Sequence, residues 1–272
     1  MLGGDVCGAA AGAGHRVIAL SHAELDITDA DAVATAVIAA APDAVVNCAA
    51  WTDVDGAEGQ EGAARAVNGQ GAGNVARAAA VAGAWTIHIS SDYVFDGRKR
   101  EPYLESDPAG PLSAYGRSKL AGEQAVAAHA PAAHTVVRSS WLFGTGGPCF
   151  PATIGRLAGE RDELTVVDDQ LGCPTFTGHL APALLELAAA RPLGIVHLAA
   201  DGQCSWYELA TEIVAASGAQ CEVKPGRTAD LRRPAPRPAY SVLRSERGTQ
   251  APRLPHWRQG LAQYMASGVL AR

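Results

Sequence analysis

Residues 85–90 read WTIHIS, residues 113–129 read SAYGRSKLAGEQAVAAH and residues 135–139 read TVVRS. The outer two are short apolar runs rich in β-branched residues, and the middle one is an alanine-rich segment several helical turns long. Two strands joined through a helix pair in parallel, because a hairpin has no room for the crossover. The same alternation continues upstream. Asp43–Asn47 (DAVVN) reads as a strand, Gly62–Ala82 as one long helix, Asp29–Ala41 as a helix and His15–Leu20 (HRVIAL) as a further strand. The pattern predicts an α/β fold whose parallel sheet carries helices on both faces.

Beyond Trp141 the rhythm changes. Gly144–Pro151 is rich in glycine and proline, followed by a helix, a short strand at Leu164–Val167 and the loop DDQLGCPTFTG. Pro182–Ala190 reads as helix, Gly194–Leu198 as strand and Ser205–Ser217 as helix, with Ser205 and Glu208 spaced for a capping box. Residues 225–240, with Pro225, Pro234, Pro236 and Pro238, predict an ordered surface loop or lid. The expected division is a dinucleotide-binding unit at 1–145 and about 176–200, with a smaller substrate lobe at about 146–175 and 201–272.

Composition narrows the function classes. The 272 residues carry a net charge of −6 with a pI near 5.7, which argues against a nucleic-acid partner. Six scattered cysteines without a CxxC pair argue against a disulfide framework or a metal site. No apolar run has the length of a membrane span, and no secretion leader is recognisable, so a cytoplasmic location is expected.

The chemistry concentrates at Tyr115-Gly116-Arg117-Ser118-Lys119. Residues four apart share a helix face, so the phenol and the ammonium are neighbours. An ordinary phenol titrates at about 10, and a nearby ammonium favours the phenolate. Lowering that value by about 3 units takes roughly 4 kcal/mol of differential interaction. Such a pair can protonate an oxygen while hydride reaches the attached carbon. Alone, a YxxxK spacing could equally be an exposed helix pair. Ser90-Ser91-Asp92 closes the strand before it, at the carboxyl end where ligands of open α/β sheets bind. A Ser91 hydroxyl there can hydrogen-bond a carbonyl oxygen beside Tyr115.

The runs ISSDYVFDG, YGRSKLAGE and VRSSWLFG, with LDITD and VVNCAAWTDVDGAE upstream and VVDDQLGCPT and HWRQGL downstream, together resemble the dTDP-4-dehydrorhamnose reductases. These are extended short-chain dehydrogenases with a Rossmann-type sheet, and the likeness spans nearly the whole chain. It implies reduction of the C4 ketone of dTDP-4-dehydro-L-rhamnose by a nicotinamide. Tyr115 is then the proton donor, Lys119 the residue that holds the nicotinamide ribose, and Ser91 the stand-in for the family's usual threonine. Asp92 and Trp141 match positions that touch the sugar nucleotide. Asp26 and Ile27 match residues beside the adenine, and Ala50, Trp51 and Thr52 match the dinucleotide path. The bland readings are that Asp26 caps the following helix, that Asn68 satisfies nearby backbone, that Trp141 is core and that DDQLGCPT is a tight turn. After Leu20-Ser21-His22 no acidic residue follows at once, which favours NADPH, with NADH the alternative. The resemblance also allows a homodimer, and Mg²⁺ at a subunit contact for which no residue can be placed.

At the start the pattern departs from the family. Met1-Leu2-Gly3-Gly4-Asp5-Val6 matches only the end of the glycine fingerprint, with Gly3 as its last glycine. The expectation is that the first strand and two glycines belong to sequence upstream of Met1. A non-catalytic nucleotide-binding subunit, a reductase of a related deoxysugar, and a nucleotide-sugar epimerase or dehydratase are the competing readings.

Overall fold

The computed structural model describes residues 1–268. Its main strands, in chain order, are β1 Ala44–Asn47, β2 Trp85–Ser91, β3 His134–Ser139, β4 Glu163–Val167, β5 Gly194–His197 and β6 Glu222–Gly226, beside the short strand Leu254–His256 and several two-residue ones. The main sheet runs β1-β2-β3-β5 with every pair parallel. Ile87 lies opposite Val46 on one side and Thr135 on the other. β2 and β3 are buried at every residue, as a sheet covered on both faces requires.

The helices are α1 Leu2–Gly12, α2 Ala30–Ala40, α3 Val54–Gly59, α4 Glu61–Arg65, α5 Ala72–Val81, α6 Ala114–His129, α7 Phe150–Glu160, α8 Thr177–Ala190, α9 Trp206–Ser217 and α10 Trp257–Ala266. On one face, α5 and α6 pack Ala72, Ala76 and Val126 against Val136 of β3. On the other, α1 and α8 bring Leu2, Val6, Leu180, Leu184 and Leu187 onto Ile87, Val137 and Val196. Each fully buried leucine there is worth about 1.5–3 kcal/mol. α8 starts at Thr177, ahead of the expected Pro182: the bond lost at the proline is outweighed by burying Leu180 and Leu184.

Two expectations about the first half need correction. Residues 15–20 are not a strand. They pair with no neighbouring strand, and Ile18 is 51% and Leu20 49% exposed. The β-branched composition was right for a pleated surface, but propensity makes no strand without a neighbour to complete its ladder. Nor is 62–82 one regular helix. A π-helical turn, Ala66–Gly71, separates α4 from α5. It brings Asn68 to bear on Trp51, and Gly122 of α6 sits so near that any side chain there would lie 2.2 Å from the Asn68 carbonyl oxygen.

A second hydrophobic cluster is assembled on the parallel β4–β6 pair, with α7, α9 and α10 closing over Leu164, Val166, Leu209, Ile213, Trp257 and Tyr264. The capping box of α9 is formed as expected, Ser205 and Glu208 each answering the other's backbone amide. Residues 269–272 of the expected lobe lie outside the described residues. Among the described residues no helix is long and apolar enough to cross a membrane.

Candidate active site

Tyr115 enters from the first turn of α6, whose start is set by Ser113: its hydroxyl accepts the Gly116 amide at 3.1 Å. Any larger residue at Gly116 would lie 2.3 Å from the Tyr93 carbonyl, so the glycine lets this turn press on the end of β2. There the Tyr115 phenol faces the Ser91 side chain. Lys119, one turn on, is buried and donates to the Ile89 carbonyl at 2.6 Å. The structure therefore brings Tyr115 to Ser91 at the carboxyl end of β2, with Lys119 buried one turn on against Ile89.

Their electrostatics differ from the expectation. Burial pushes Tyr115 up to about 12, against the opposing effect of the Ser91 hydrogen bond. Burial also pulls Lys119 down to about 8, while the Glu123 charge holds it up. In this structure Lys119 donates a hydrogen bond to the Ile89 carbonyl, and burial sets the phenol. The consequence is a tyrosine that stays protonated at neutral pH, the form that an acid needs.

Asp92 lies beside Ser91 and is 2% exposed. It accepts the Ser91 hydroxyl at 2.9 Å and the Ser241 hydroxyl at 2.5 Å. Burial raises it to about 6, with both hydroxyls opposing. Tyr93 meets Tyr115 edge-on at 5.5 Å.

Trp141 takes up a left-handed backbone (φ 47°) and stacks on Trp206, ring centroids 3.5 Å apart and 5° from parallel. A side chain at Gly172 would lie 2.4 Å from that indole, so the DDQLGCPT segment makes room for Trp141 and is more than a turn. The same segment sends Asp168 to Ser205, Asp169 to Thr228 and Gln170 to the Trp206 indole.

The cofactor candidates are spread over three places. Gly3, in the first turn of α1, lies beside Cys48 just beyond the carboxyl end of β1. This puts the positive end of a helix where a diphosphate belongs in such sheets. Ala50, Trp51 and Thr52 follow on the same loop. Asn68 holds that loop by accepting the Trp51 amide and donating to its carbonyl, and it also donates to Ser118 of α6. Its role is thus to satisfy backbone, as the bland reading had it, but backbone 17 residues away. Asp26 does not cap α2. It binds the Thr28 amide and hydroxyl, and Asp29 is the cap. Ile27 is buried against Val33, Val37 and Val75. The residues around Tyr115, Lys119 and α1 fit a nicotinamide ribose and a diphosphate. Among the described residues no group of three or more His, Cys, Asp or Glu could hold a metal ion.

Several supports were invisible to local patterns. Glu123 of α6 takes a bidentate pair from Arg138 of β3, at 2.9 and 2.7 Å, and accepts the Ser90 hydroxyl at 2.5 Å. Both charged side chains are about 95% buried or more. Asp55 of α3 is gripped by Arg237 from the proline-rich loop. Ser241 reaches Asp92 from the same stretch. Only the loop's prolines signalled that it would be ordered.

Comparison with known proteins places this arrangement. Residues 1–269 match the model of the RmlD substrate binding domain. A dTDP-4-dehydrorhamnose reductase of Mycolicibacterium smegmatis is 46% identical over 276 residues, spanning 99% of this chain and 83% of the relative. The crystal structure of a dTDP-4-dehydrorhamnose reductase from Clostridium acetobutylicum superimposes with a TM-score of 0.94 at 40% identity, covering 98% of this chain and 95% of that one. A Bacillus anthracis dTDP-4-dehydrorhamnose reductase, solved in complex with NADP, gives a TM-score of 0.94 at 34% identity, covering 98% and 95%.

Proposed function

The chain belongs to the RmlD substrate binding domain family, and from that premise we propose that it reduces the C4 ketone of dTDP-4-dehydro-L-rhamnose, using NADPH, to give dTDP-L-rhamnose. The observation that carries the reading is Tyr115 meeting Ser91 at the end of β2, with Lys119 buried one turn away. NADPH, when bound, supplies the hydride that reaches C4. The Tyr115 phenol gives its proton to the ketone oxygen, so the carbonyl becomes a secondary alcohol and the phenolate is left. Burial keeps that proton on Tyr115 until the acceptor arrives. Ser91 hydrogen-bonds the same oxygen, and the Lys119 ammonium binds the ribose hydroxyls.

Asp92 and Trp141 contact the sugar nucleotide. Gly3 lies against the diphosphate, Ala50, Trp51 and Thr52 line the dinucleotide, and Asp26 and Ile27 border the adenine. Residues 1–145 and about 176–200 carry the dinucleotide, and about 146–175 and 201–272 the substrate. NADPH is preferred because a 34% identical relative was solved with NADP, and because Ser21 and His22, directly after Leu20, are not acidic.

The test is NADPH consumption with the dTDP-ketosugar, in the wild type and in Tyr115→Phe. Turnover that Y115F abolishes, while NADPH still binds, is expected. Y115F at near-wild-type rate would refute the role of Tyr115. A wild type that binds NADPH without turnover would favour the non-catalytic subunit.

A further inference from the structure

We infer that Ser241, from the C-terminal stretch, is a positioning residue that sets the hydrogen-bond polarity of Ser91 through Asp92. The inference rests on the catalytic reading of Ser91 above, but its geometry stands apart from it.

The Asp92 carboxylate has one oxygen on Ser91 and the other on Ser241, at 2.9 and 2.5 Å. Ser241 is 1% exposed and Asp92 2%, so no bulk water competes for either. Ser91 has a single hydroxyl proton. While Asp92 is ionised, that proton is turned onto it, and the Ser91 oxygen is left to accept, as it does from the Tyr93 amide at 3.2 Å. When Asp92 is protonated, the acid proton can turn onto Ser91 and free the Ser91 hydroxyl to donate to a neighbour. The ionisation of Asp92 therefore selects which of two roles Ser91 plays.

Ser241 controls that ionisation because it donates only to the charged acceptor's outer oxygen, and donation to a carboxylate favours its ionised form. The remaining groups that face Asp92 are Tyr93 on its own turn, Tyr115 from α6 and Cys173 from the DDQLGCPT segment, with Arg237 beyond Tyr93. None of the three nearest is a cation, so the two serine hydroxyls, with the local backbone amides, are what oppose the desolvation of the acid. Removing one of them has no replacement at hand.

Ser241→Ala is the direct test, with two readouts. The first needs no turnover: the chain labelled with ¹³C at the aspartate carboxyls is titrated by NMR, and the Asp92 resonance is identified by its loss in Asp92→Asn. The wild-type midpoint is expected near 6, and S241A is expected to move it up by about one pH unit. Ser241→Thr, which keeps the hydroxyl, is expected to restore the wild-type midpoint. If S241A does not fold, Ser241→Cys, a weaker donor, is expected to give a smaller upward move. A midpoint unchanged in every variant that lacks the serine hydroxyl overturns the proposal. The second readout is the pH profile of kcat, in which the inflection near 6 is expected to move with the NMR midpoint. A residue that only braced the fold would lower kcat alike at every pH and leave the inflection in place, and that result also overturns it. A moving midpoint in a wild type that does not turn over would uphold the Ser241–Asp92 linkage and refute the reductase reading instead.

Discussion

Glu123→Gln takes the charge out of a buried ion pair that bolts α6 to the sheet. In the wild type the carboxylate receives three donors, two from Arg138 and one from Ser90, all within 2.9 Å. The variant leaves the Arg138 guanidinium charged in a site where it is 3% exposed and where its Nη1 already has no partner. Stripping one member from such a pair costs about 3–5 kcal/mol, since the remaining charge stays desolvated. For a chain of this size that lowers the melting temperature by roughly 10 °C. Urea unfolding followed by far-UV circular dichroism measures it. Glu123→Leu with Arg138→Met removes both charges together and is expected to cost less than E123Q alone. A loss below about 1 kcal/mol in E123Q, or a double variant worse than the single, would refute the reasoning. Activity supplies a second check. The Glu123 charge holds the Lys119 ammonium up, so E123Q and the double variant both lose protonated lysine at a lower pH than the wild type.

Two further outcomes follow from the site. Lys119 is held at about 8 by burial, below its ordinary 10.5, so its cost to the folded state is fully present below pH 8 and is relieved as pH rises from 8 towards 10.5. Lys119→Met is therefore expected to be inactive yet more stable at pH 7, by about 2 kcal/mol once the lost bond to Ile89 is allowed for, with the gain gone at pH 10; equal or lower stability at pH 7 in urea melts would contradict it. Gly172→Ala puts a methyl 2.4 Å from the Trp141 indole and forces that ring off Trp206. The expected result is a KM for the sugar nucleotide raised about tenfold or more with NADPH affinity unchanged, and an unchanged KM would show that the Trp141 position does not matter to binding.

Elements that advertise themselves within a few residues were legible in the sequence. Ser113 at the start of α6, the Ser205–Glu208 box and the buried runs of β2 and β3 each carry a local signature, and each was found where expected. The Tyr115–Lys119 spacing was legible because a helix converts a sequence interval into a shared face. HRVIAL was misread for the converse reason: its side chains suit a strand, but the decision belongs to a neighbour that no local window contains. Glu123 with Arg138, Asp55 with Arg237 and Ser241 with Asp92 are partnerships set by the packing of separate elements, and nothing in the flanking residues marks any of them. The Tyr115 acidity was misjudged because spacing says who is near but not how dry the surroundings are.

The reach of the C-terminal stretch has a temporal meaning. Arg237 grips Asp55 across 182 positions and Ser241 grips Asp92 across 149. A chain emerging from the ribosome can assemble β1, β2, β3 and α6 well before either partner has been synthesised. Until residue 241 arrives, the turn that bears Ser91 has lost one of the two hydroxyls that hold its acid, and α3 lacks its clamp. The candidate site is thus completed only after the sheet has been made, and a nascent chain that stops short of residue 241 would carry the sheet without the settled site.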